Sequence, residues 1–71
     1  MQTNPAVERV AANVRAELAR QGITQTALAA KLQKSQPFIA RRLSGRVALD
    51  IEDLAGISAV LDIPMAVLVA A

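Results

Sequence analysis

A glutamine amide accepts and donates side by side, and an arginine guanidinium presents a planar fork of donors. Both groups stand close together at Gln36 and Arg41, with Pro37, Phe38, Ile39 and Ala40 between them. Glutamine can pair bidentately with an adenine edge, and arginine with a guanine edge. A small apolar residue such as Pro37 or Ala40 can meet a thymine methyl. Other chemistry is poorly supplied. The chain has no His, Cys, Trp or Tyr. Without His or Cys no nucleophile with an adjacent base is apparent, so catalysis is not expected and no catalytic residue is assigned. Most metal sites lose their usual ligand with His and Cys, and no metal or cofactor is expected.

The charges are unevenly placed. Eight Lys and Arg against six Asp and Glu leave a net charge of only +2. Between Leu18 and Leu49, however, the charged residues are Arg20, Lys31, Lys34, Arg41, Arg42 and Arg46, with no acid among them. Asp50, Glu52, Asp53 and Asp62 follow. A basic middle and an acidic end suggest a polyanionic partner.

Helices must position these residues, because apolar residues recur at helical spacing, Ala is abundant and hairpin signals are absent. Asn4 caps a first helix over about 5–21, with Pro5 at its first position and Gly22 at its end. Val7, Val10, Ala11, Val14 and Leu18 form its stripe. Thr24 caps a second helix ending near Gln33, with Ala27, Leu28 and Leu32 inward and Ile23 as a staple. Ser35 caps a third, closed by Gly45. Around that helix Ile39 and Leu43 fall on one side, and Pro37, Ala40, Arg41 and Ser44 on the other. Asp50 and Asp53 form a capping box for a fourth helix, striped by Ile51, Leu54, Ile57 and Leu61. A short fifth runs from Met65 to about Val69. The expectation is one compact, all-α, five-helix domain over residues 1–71, with a helix-turn-helix at about 24–45.

Residues 22–45, and less closely 46–68, resemble the lambda-repressor/Cro-like (XRE-type) helix-turn-helix domains of phage and bacterial regulators. The resemblance is carried by Gly22-Ile23-Thr24-Gln25, Leu28-Ala29, Leu32, Ser35-Gln36, Ile39 and Gly45, then by Leu54, Ile57, Leu61, Ile63 and Leu68. It implies a sequence-specific double-stranded DNA-binding transcriptional regulator, such as a phage Cro or immunity repressor, acting in the cytoplasm by occupying an operator. Gln36, Pro37 and Arg41 would look into the major groove. Gln25 would hold a phosphate and brace the third helix. Lys34, Arg42, Ser44 and Arg46 would hold phosphates, and Ser35 would support the helix start. Two positions depart from the family. Gln33 replaces the usual turn glycine, at a cost of about 1–2 kcal/mol if its backbone is left-handed. Arg42 takes a place that commonly faces the core; its stem would lie along the body while its head reaches outward.

Plainer readings stand beside these. Gln25 and Gln36 also suit ordinary polar surface, and Arg41 a phosphate. Phe38, the one aromatic, fits a core wedge against the second helix. Arg9 and Arg15 fit surface ion pairs with Glu8 and Glu17; Arg20 and Lys31 fit solvated positions. The tail from Leu54 is apolar, but Asp62 and Pro64 interrupt it. A carboxylate at bilayer depth costs roughly 2.5–3.5 kcal/mol, so no membrane span is expected. The opening MQTNPAVERV lacks the apolar run of a secretory signal. The surplus apolar residues from Met65 to Val69 suit a homodimer contact. The alternative to a regulator is a helical protein-interaction module, an antitoxin or adaptor, using that tail.

Overall fold

A side-chain oxygen opens each of the first four helices. In the computed structural model, which describes residues 4–71, Asn4 accepts the Ala6 amide (2.7 Å) at the head of α1, Pro5–Gln21. Thr24 accepts Ala27 N–H (3.0 Å) for α2, Gln25–Leu32, and Ser35 accepts Phe38 N–H (3.1 Å) for α3, Gln36–Leu43. Asp50 and Asp53 exchange hydrogen bonds in a full capping box (2.7 and 3.1 Å) for α4, Ile51–Leu61. Each cap satisfies an amide that the first turn leaves without an internal partner. The last element, α5, covers Met65–Leu68 and has no side-chain cap. All described residues are helix, turn or irregular chain, as an all-α domain requires.

Three of the helix ends turn on left-handed residues: Gly22 (φ 69°), Gln33 (φ 57°) and Asp62 (φ 54°). Gln33 does hold the conformation that favours glycine. Its amide bonds to the Ala30 carbonyl, and that of Lys34 to the Ala29 carbonyl, so the turn's hydrogen bonds offset part of the backbone strain.

The α1 stripe and the inward sides of α2–α5 meet in one core. Val14, Leu28, Ile39, Leu43, Ile57 and Leu68 are its largest fully buried side chains. Helix α2 packs on α3 and α4, while α1 lies against α3, α4 and α5. At Gly56 a Cβ would stand 3.0 Å from Leu32 Cδ2, so the missing side chain lets α4 approach α2 closely. Ile51 differs from its expected place in the α4 stripe. It is 72% exposed, because the first residue of α4 lies beyond the edge of the core that Leu54, Ile57 and Leu61 fill. Val7 and Val10 are half-buried beside Leu49 and Leu54, around a hollow of about 150 Å³.

Helix α1 also supplies polar side chains that finish other helices. Asn13 Nδ2 donates to the carbonyls of Leu68 (3.0 Å) and Ala70 (2.8 Å). Gln21 Nε2 donates to Leu61 O (2.9 Å), at the end of α4. Arg15 donates to Leu43 O, at the end of α3. Arg15 is therefore no ion-pair partner of Glu17; Glu17 pairs instead with Arg20, one helical turn on, whose side chain stays 67% exposed, in keeping with a solvated position. The hydrogen bond places the Arg15 guanidinium against the negative end of α3, where a cation is favoured.

Candidate nucleic-acid interface

Helix α3 has two sides of opposite character. Ile39 and Leu43 are buried, whereas Gln36, Pro37, Ala40 and Arg41 are exposed. The four-residue interval between the two anchors holds one face to the body. Gln36, Pro37, Ala40 and Arg41 then point away from it. No acid occupies the first turn of α2 or α3, so nothing in those turns offsets the partial positive charge of the two helix starts.

The three residues expected to read bases share this outer side. At its N-terminal end Gln36 Nε2 donates to Thr26 Oγ1 on α2 (2.6 Å). At the other end Arg41, Ala40, Ser44 and Arg46 line an open hollow of about 260 Å³. The Arg41 carbonyl accepts the amides of Arg46 (3.1 Å) and Val47 (3.3 Å) and the Ser44 hydroxyl (2.9 Å). That folds the chain after α3 back on itself and sets Arg46 beside Arg41. The residues expected around this side take different places. Gln25, Lys34, Ser35 and Arg46 are exposed. Ser44 is exposed as well, but its hydroxyl proton is directed to Arg41 O, and a phosphate needs a donor.

Arg42 does not reach outward. Its Nε donates to Asp53 Oδ2 (3.1 Å) and its Nη1 to Phe38 O (3.3 Å). Its guanidinium carbon lies 3.5 Å from the centre of the Phe38 ring. A guanidinium this close to a ring face gains cation–π attraction. The same Asp53 oxygen accepts the Asp50 amide, so one carboxylate ties α3 to the start of α4. The physical reason for the inward turn is that Asp53, fixed by the capping box, offers a half-buried charge within reach. Phe38 is half-buried and packs against the core. Lys34 Nζ lies 5.0 Å from the ring centre, a second cation near the same ring. Thr26 escaped the sequence reading altogether. Nothing in its local spacing marks it, since its partner is ten residues away on another helix.

Two short capped helices joined by a tight turn, the second anchored on one side and polar on the other, define a helix-turn-helix. A family model described as helix-turn-helix matches residues 14–68. The chain belongs to that family, as a DNA-binding domain of the lambda-repressor/Cro-like kind. No curated protein matches it. Among solved structures it is similar to the clp gene regulator ClgR from C. glutamicum. One structure of that regulator has 25% identity and a TM-score of 0.85 over 92% of this chain and 84% of that one. A second has 24% identity, again a TM-score of 0.85, over 94% and 71%. The DNA-binding domain of BldD has 20% identity and a TM-score of 0.81, over 97% of this chain and 99% of that one, a likeness of fold.

Proposed function

We propose that the chain is a sequence-specific regulator of transcription that occupies a double-stranded DNA operator and has no chemistry of its own. The observation that carries this reading is the outer side of α3. Gln36, Pro37 and Arg41 are exposed together there, on a helix fixed to the body by Ile39 and Leu43. In the major groove these three would meet base edges. Gln25, Lys34 and Arg46 would hold phosphates on either side, with Ser35, Arg42 and Ser44 as supports. Val67 and Val69 remain exposed at the C-terminal end. They would join two copies, placing the two recognition helices about 34 Å apart, one turn of DNA. A protein acting this way works in the cytoplasm of a bacterium or a phage-infected cell, where the operator lies. The ClgR likeness supports regulation of genes; phage origin rests on the sequence resemblance alone.

Selection of bound sequences from a random duplex pool tests the proposal. A recurring site, bound with an affinity that falls steeply as salt rises, is the expected outcome. Enrichment of no sequence, or a response to salt that is flat, would overturn it.

A further inference from the structure

The hydrogen bond between Thr26 and Gln36 joins a residue of α2 to one proposed to read a base. Gln36 Nε2 is 2.6 Å from Thr26 Oγ1, and both residues are exposed. An isolated glutamine on a helix start can rotate about three side-chain bonds and turn its amide over. A primary amide has two N–H groups and one oxygen. With one N–H held by Thr26, the oxygen and the second N–H of Gln36 remain free, and they stand side by side when the held N–H is the one anti to the oxygen. That leaves one acceptor and one donor, the pair that complements N6–H and N7 of adenine.

We propose that Thr26 is a positioning residue for sequence recognition: it holds the Gln36 amide in the plane from which that amide reads adenine. The reader of this base pair is thus a pair of side chains on both helices of the motif. Thr26 itself touches no base. Its contribution is preorganisation, since a side chain already held in its bound orientation loses less freedom on binding. This inference rests on the base-reading role of Gln36 proposed above.

Thr26 suits a clean substitution. It is exposed and lies in the first turn of α2. Thr26→Val keeps the branched shape and removes the hydroxyl; Thr26→Ser restores the hydroxyl. The selected duplex and versions with each other base at the Gln36 position are titrated with the wild type, both variants, Gln36→Ala and the double variant Thr26→Val/Gln36→Ala. Thr26→Val is expected to lower the preference for adenine about three- to tenfold, the size of one hydrogen bond. Affinity for random duplex, the slope against salt and the melting temperature should be unchanged. Thr26→Ser should keep the preference, and Thr26→Val should change nothing once Gln36 is Ala. An unchanged preference in Thr26→Val overturns the inference. So does an equal loss on every sequence that persists in the Gln36→Ala background, which would make Thr26 a backbone contact. If the wild type selects no site at all, the regulator reading falls and this inference with it. If it selects a site with no base preference at the Gln36 position, only the assignment of Gln36 and Thr26 falls.

Discussion

At the scale of single residues, Arg41 and Gln33 make opposite kinds of prediction. Arg41 is exposed beside Arg46, and its own carbonyl is fully engaged in holding the chain after α3. Its side chain is therefore free to act while its backbone is fixed. Arg41→Ala should cost about 1–3 kcal/mol on the selected duplex and relax the preference at one base pair. Competition titrations against random duplex check this; an equal loss on both would make Arg41 a phosphate contact. Gln33 concerns stability instead. A left-handed non-glycine residue costs about 1–2 kcal/mol, against the extra 0.5–1 kcal/mol or so of chain freedom that a glycine loses on folding. Gln33→Gly should thus stabilise the domain by roughly 0.5–1 kcal/mol, raising the melting temperature by a few degrees. A fall would show that the Gln33 side chain makes a stabilising contact that outweighs the strain. Both residues were legible in the sequence for local reasons. Arg41 follows from helical spacing around Ile39 and Leu43, and Gln33 from its place between two caps. Arg42 was less so. Its position on the helix predicted a core-facing stem, but the direction of its head depended on where α4 would place Asp53.

At the scale of elements, the caps that open helices were written locally, whereas the distant side chains that finish them were not. Asn4, Thr24, Ser35 and Asp50 lie within three residues of the amides they accept, so their types and spacing announce them. Asn13 and Gln21 serve carbonyls 40 or more residues away. No local pattern can show that, because the partner exists only after the helices pack. Ile51 failed for a related reason: periodicity gives a face, not the point where that face leaves the core. Asn13→Ala should destabilise the domain by about 1–2 kcal/mol, since it strips two carbonyls near the end of α5 of a half-buried donor. Urea unfolding measures this, and a change below about 0.5 kcal/mol would mean that water replaces the amide without loss. The Arg42–Asp53 link invites a coupled test. Asp53→Ala removes a capping bond and the ion pair, whereas Arg42→Met removes the pair together with the bond to Phe38 O and the contact with the Phe38 ring. Together they should fall short of additivity by about 1 kcal/mol, as expected of residues in contact. Strict additivity would show that the pair contributes nothing of its own to holding α3 against α4.

At the scale of the whole molecule, a body of only 29 × 25 × 21 Å would, on the proposed reading, present one short helix to DNA. Two copies on adjacent turns would convert the second contact into an intramolecular one. The gain from such linkage is set by effective concentration, and can exceed a hundredfold. In the proposed dimer the C-terminal end would provide the link. Leu68 is fully buried and fixes α5 to the core, while Val67 and Val69 are 38% and 46% exposed beside it. A charge at Val67 or Val69 would then disturb an intermolecular face and leave the core anchor in place. The variants Val67→Asp and Val69→Asp should melt within about 0.5 kcal/mol of the wild type, as surface substitutions do. Both should bind a duplex carrying one half-site as the wild type does, and lose the tighter binding to two half-sites spaced one turn apart. Titration of the two duplexes, with sedimentation of the protein–DNA complexes, separates the outcomes. A variant that still occupies the double site with wild-type affinity would place the link between copies on another face, and the exposed Ile51 would be the next residue to substitute.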